Sequence, residues 1–148
     1  MFLIFGILFT ILIFGVLIMF FHLAPVFINM PSLLFILVFL LFFMFISKSG
    51  KVILMYIKTS FKKEYTYTKI ELECISLAMK NSIKYTLASG IFGCITFIIV
   101  ALANLESKEV LGPALAMSLT SIVYSIAISY FIFFPTQVWA DNKNLQDL

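Results

Sequence analysis

Hydrophobic positions in this chain gather into long unbroken runs instead of alternating or forming a single stripe. Four runs stand out: residues 2–21, 32–47, 86–104 and 113–134. A bilayer's hydrocarbon core of about 30 Å needs roughly 20 apolar residues of helix to cross it, so each run is read as a membrane-spanning helix. The second is slightly short, and Val26, Phe27 and Ile28 extend its apolar surface around Pro31. The first also has the apolar content of a secretory signal, but it lacks a basic start and a small-x-small cleavage site.

Between the second and third runs, residues 48–85 are polar and lysine-rich. Thr68-Lys69-Ile70-Glu71 has the spacing of a capping box, in which each side chain satisfies the other's free backbone N–H. Ile70, Cys74, Leu77, Ala78 and Tyr85 follow at steps of three, four or seven, so a helix is expected from about residue 69 into the third run. That helix either packs through this stripe or lies on anionic headgroups.

Composition agrees with the runs. The chain has 148 residues, is 63% hydrophobic and has a mean hydropathy of +1.14. Only 11% of its residues are charged. A soluble domain needs roughly 25% to coat its surface. The basic residues are all lysine, which excludes a rigid bidentate guanidinium clamp for anions. Lys48, Lys51, Lys58, Lys62, Lys63, Lys69, Lys80 and Lys84 all lie in the central segment, against Lys108 alone near 105–110. The positive-inside rule then places the central segment and both termini in the cytoplasm. The expected fold is therefore all-α: one polytopic membrane domain over 1–148, with four spans and N-in/C-in topology.

The runs differ chemically. The first two are nearly all Leu, Ile and Phe, as suits helices facing lipid. In the fourth, Ala114, Ser118, Ser121, Ser125 and Ser129 recur at steps of four, three, four and four. Gly90, Gly93, Cys94 and Ala101 make a similar face in the third. Such stripes serve either close helix packing or a hydroxyl-lined ion path. None of the four runs contains Lys, Asp or Glu, and His22 stands at the edge of the first as an interfacial residue. An ion-coupled transporter usually carries an intramembrane ionisable group, so here that group must come from a partner. Cys74 and Cys94 have neither metal-ligand nor disulfide spacing. No His/Asp/Glu cluster, phosphate loop or nucleophile–base pair points to an enzyme, and no cofactor or metal is implied.

Residues 112–135, GPALAMSLTSIVYSIAISYFIFFP, resemble the last membrane helix of the MotA/TolQ/ExbB proton-channel family. Gly112-Pro113-Ala114 opens it, Tyr124 lies mid-helix and Pro135 closes it. FINMPSLLFILV at 27–38 is similar to the start of the second helix in the MotA branch, and ASGIFGCI at 88–95 keeps a GxxG. Leu87, Cys94, Phe97 and Ile122 stand where the family often has proline, threonine, glycine and a second hydroxyl. The large cytoplasmic domain of the MotA branch is replaced by residues 48–85. The resemblance implies a homopentamer in the bacterial cytoplasmic membrane, surrounding a MotB, TolR or ExbD-like single-span partner whose aspartate takes up the ion. It also implies that Gly90, Gly93, Cys94, Ser121, Tyr124 and Ser125 face the pore or the partner. Pro31, Pro113 and Pro135 mark helix ends. A non-conducting scaffold derived from the same fold is the alternative.

Overall fold

The computed structural model describes residues 29–60 and 65–146, together with positions 8, 12 and 15. The expected span at 2–21, apart from Leu8, Leu12 and Gly15, lies outside the described residues, as do His22 and Val26–Ile28. The described residues form helices and no strand. α1 is Met30–Ile46, α2 Ser49–Ser60, α3 Lys69–Ala103 and α4 Lys108–Ile128. A π-helical turn, Ser129–Phe133, leads without a break into α5, Phe134–Gln146.

Asn29 caps α1 and Pro31 occupies its first turn, where the missing N–H costs nothing. Ser32, Ile36 and Leu40, four residues apart, form its buried stripe, while Leu34, Val38, Leu41 and Phe45 stay exposed. The helix ends at Ser47, and Lys48 adopts a left-handed φ of 56°. Its N–H bonds to the Phe45 carbonyl at 3.3 Å, as in a left-handed helix cap. The chain turns there by 99° into α2.

Thr68 starts α3 with the expected capping box. Its hydroxyl accepts from the Glu71 N–H at 3.4 Å, and its own N–H donates to the Glu71 carboxylate at 2.9 Å. The Tyr65 hydroxyl donates to the same carboxylate at 2.7 Å. The Thr68 N–H, and then Tyr65, hold the Glu71 carboxyl below the usual carboxylate range. The Tyr65 phenol is pushed up in return, chiefly by that hydrogen bond. α3 then runs unbroken for 35 residues, about 52 Å. It contains the expected third span and continues the central-segment helix into it.

The face of α3 that packs is only partly the expected one: Ala78 is buried in the core and Tyr85 packs against it half-buried. Leu72, Ile75, Met79 and Ser82 are buried, whereas Ile70, Cys74 and Leu77 are exposed. Apolar residues occupy both faces, and packing against α2 and α5 selects between them. Leu40, Ile53, Tyr56, Ile75, Met79, Phe133 and Ala140 share one core cluster. The Tyr56 ring packs tilted and the Tyr67 ring edge-on against Trp139, at 5.6 and 5.5 Å, and the Lys143 ammonium lies over Tyr67 and Trp139. Burial pushes the Tyr56 phenol up.

Two prolines sit differently from expectation. Pro113 lies inside α4, because the helix starts earlier, at Lys108: the N–H groups of Val110 and Leu111 already bond to the Ser107 carbonyl. Pro135 does not close its helix. The π turn shifts the preceding bond, Phe134 N–H to Ser129 carbonyl, to a five-residue step. That wider turn makes room for a ring that would collide with the carbonyl four residues back. Lys69–Ala103 and Lys108–Leu145 are each long and apolar enough to cross a membrane, and α1 with α2 forms a bent third candidate.

Removing the cap at the start of α3 is expected to weaken the whole lower core. Thr68→Ala should lower unfolding stability by about 1 kcal/mol in a denaturant titration. Thr68→Ser should remain close to the unmodified chain.

Candidate functional site

The small residues of α3 and α4 meet inside one chain. Gly90 lies directly against the Ser125 side chain, so closely that a Cβ at position 90 would overlap Ser125 Oγ and Cβ. The same Cβ would stand 3.0 Å from the Ser121 carbonyl oxygen. One turn along, a Cβ at Gly93 would sit 3.1 Å from the Phe35 ring and 3.2 Å from Ser121 Oγ. Farther down, the Ser129 hydroxyl donates across to the Ile83 carbonyl at 3.5 Å. Residue numbers rise on α3 as they fall on α4, so the two helices are antiparallel. Nearer the loop, Ala101 on α3 and Ala114 on α4 are both buried.

This seam is polar but uncharged. Ser82, Thr86 and Ser89 on α3, Ser118, Ser121 and Ser125 on α4, and Ser129 in the π turn are all buried. Most of these hydroxyls donate to a carbonyl three or four residues back on their own helix, for example Ser121 to Met117 at 2.8 Å and Ser125 to Ile122 at 2.8 Å. Thr86 to Ser82 at 2.7 Å repeats the pattern on α3. Among the described residues, no buried side-chain nitrogen or oxygen lacks a hydrogen bond. In hydrocarbon that matters, because each unsatisfied polar group there costs several kcal/mol.

α1 is fastened across the seam's upper part. The Ser32 hydroxyl donates to the Met117 carbonyl at 2.9 Å, and the Thr120 hydroxyl reaches Ser32 at 3.2 Å. The Asn29 N–H donates to the Tyr124 phenolic oxygen at 3.0 Å. Below them, Phe35 stacks on Phe39 and Phe92 at centroid distances of 4.7 and 6.0 Å and meets Phe97 in a tilted contact at 5.8 Å. Phe97 therefore packs against α1 through Phe35.

Four of the six residues read as pore- or partner-facing thus lie between helices of a single chain: Gly90, Gly93, Ser121 and Ser125. Tyr124 is buried against the start of α1, and Cys94 is half-buried beside the seam. Within the single chain, these residues serve as a helix-packing surface. The structure adds residues that sequence reading passed over: Ser82, Thr86 and Ser89 continue the α3 face, and Ser32 with Thr120 ties α1 to α4. Their signal was present as Ser82, Thr86, Ser89 and Gly93 at steps of four, three and four, the same rhythm as the α4 stripe. Among the described residues, no group of His, Cys, Asp or Glu is placed to hold a metal ion. Comparisons with family models, curated proteins and solved structures return no match to this chain.

Gly90→Ala should force the helices apart at their tightest contact and cost about 1–3 kcal/mol, as overpacking does elsewhere. Adding Ser125→Gly removes the opposing atoms and should recover part of that loss. Gly112→Ala, whose Cβ meets nothing within 4 Å, should be neutral or slightly stabilising. Thermal unfolding of the three variants in detergent checks all of this.

Proposed function

We propose that this chain is the multi-span subunit of an ion-driven, stator-like or energy-transducing complex of the MotA/TolQ/ExbB kind in a bacterial cytoplasmic membrane. Five copies surround a single-span partner that supplies the ion-binding aspartate. Each chain crosses four times, with both termini and the lysine-rich segment inside. The coupling ion is a proton or sodium. The observation that carries the reading is the α4 pattern, from Gly112-Pro113-Ala114 through Tyr124 to Pro135, on a helix of membrane length packed antiparallel to α3. Such a hairpin is a stiff stave with which to build a wall. Its outer surface, with Ile91, Ile95, Leu102, Leu119 and Ile126 exposed, is apolar enough for lipid or for neighbouring staves.

A second reading keeps the assembly and drops the conduction. In it the chain is a non-conducting scaffold of the same descent. The burial of Ser121 and Ser125 against Gly90 favours it, because those hydroxyls already bond to backbone carbonyls and lie away from the hairpin's outer surface.

The mass of the purified chain in mild detergent should correspond to five copies; a monomer under all mild conditions counts against both assembled readings. In proteoliposomes with an Asp-bearing single-span protein from a neighbouring gene, the conducting reading expects proton or sodium flux that Asp→Asn in the partner abolishes. Flux indistinguishable from empty vesicles, with the complex intact, selects the scaffold.

A further inference from the structure

α2 carries a surface that neither the helix seam nor the proposed assembly uses. Ser49, Ile53, Tyr56 and Thr59 bury one side of it against the rest of the chain. On the opposite side Lys51 and Lys58 are exposed. They are seven residues apart and so about 10 Å along the axis. Between them Leu54 is 60% exposed, and Ile57 flanks it at 37%. Together with Met55, Thr59 and Tyr65, the two lysines and Leu54 line an open groove of about 550 Å³.

The chemistry of this groove is one-sided. Among the described residues, no carboxylate lines it. The Tyr65 hydroxyl is already donated to Glu71, and Thr59 Oγ1 is engaged with Met55, Tyr56 and Tyr67. Among the described lining residues, the Lys51 and Lys58 ammonium groups are therefore the donors left for a ligand, beside the apolar Leu54 and Met55. We propose that this groove holds the phosphate headgroup of an anionic phospholipid, with Lys51 and Lys58 on the phosphate and Leu54 and Met55 against the upper acyl chain.

Two features select a lipid over a soluble phosphate. First, the 99° bend at Lys48 lays α2 along the membrane surface once α1 crosses it, which puts the groove at headgroup level. Second, a soluble anion leaves Leu54 and Ile57 in water, whereas a lipid covers them. Anionic lipid attracts each nearby lysine, and the attraction is local, decaying within a Debye length. The inference rests on α1 crossing the membrane; it is independent of ion conduction and of copy number.

The test uses the full chain in mixed micelles, titrated with phosphatidylglycerol or with phosphatidylcholine of the same acyl chains, and bound lipid counted by native mass spectrometry. Phosphatidylglycerol should bind and phosphatidylcholine should not. Lys51→Gln with Lys58→Gln should weaken phosphatidylglycerol binding about tenfold or more. Lys51→Arg with Lys58→Arg should retain it, and Lys80→Gln with Lys84→Gln, outside the groove, should leave it unchanged. Unaltered helical circular dichroism shows that each variant has folded, which exposed lysines make easy to satisfy. The proposal is overturned if the double Gln variant binds as well as the unmodified chain, if both lipids bind alike, or if the Lys80 and Lys84 changes weaken binding equally. Displacement of the lipid by millimolar inorganic phosphate overturns it as well, by revealing a soluble-anion site. A monomeric, non-conducting chain would still bind the lipid, so failure of the assembly reading is read separately.

Discussion

Two helices can run side by side through hydrocarbon only if they find something other than water exclusion to hold them together, because lipid is as apolar as leucine. In this chain that something is the close approach at Gly90 and Ser125. There the absence of a side chain on α3 lets the α4 backbone come near. The contact sets the register of the hairpin, and the register then places Gly93 on Ser121 and Ser129 on Ile83. α1 is added to a surface that the hairpin has already shaped. Its Ser32 bonds to the Met117 carbonyl, and its Phe35 ring rests where Gly93 leaves room.

The seam also shows why so many hydroxyls can be buried without a titratable group among them. A serine in a helix returns its proton to a carbonyl on its own preceding turn, so it is short, polar and self-satisfied. It can sit in an interface as a small residue without demanding a partner across it. That property makes the stripe a packing device first. Any ion path in an assembly has to be completed by surfaces that a single chain leaves exposed, or by groups that another chain brings.

At the other end the structure changes character. The first half of α3 and α5 run beyond the small-residue seam, and between them α2 is held by Tyr56, Ile53 and the Tyr67–Trp139 aromatic group. This lower core is a small helical bundle with a capping box and a cation–π contact. The π turn at Ser129–Phe133 lies at the passage from the seam to this core, and it lets Pro135 be carried inside a continuous helix.

Much of this was legible in the residues alone. Class followed from runs too long and too uncharged for a soluble fold. The start of α3 was written in Thr68 and Glu71, because a capping box is a local interaction that needs no tertiary partner. The Gly and Ser stripes could be seen for the same reason, being periodic along a single helix. Tertiary structure decided what periodicity leaves degenerate. On α3 two apolar faces competed, and only the position of α2 and α5 buried Leu72, Ile75 and Met79 instead of Ile70 and Leu77. Pro113 and Pro135 look like helix ends in sequence; whether a helix stops or widens depends on the hydrogen bonds its neighbours supply. Above all, a stripe of small residues states that something approaches closely without stating what. The sequence by itself determined that Gly90, Gly93, Ser121 and Ser125 would be an approach surface, and only packing in three dimensions decided that they approach each other.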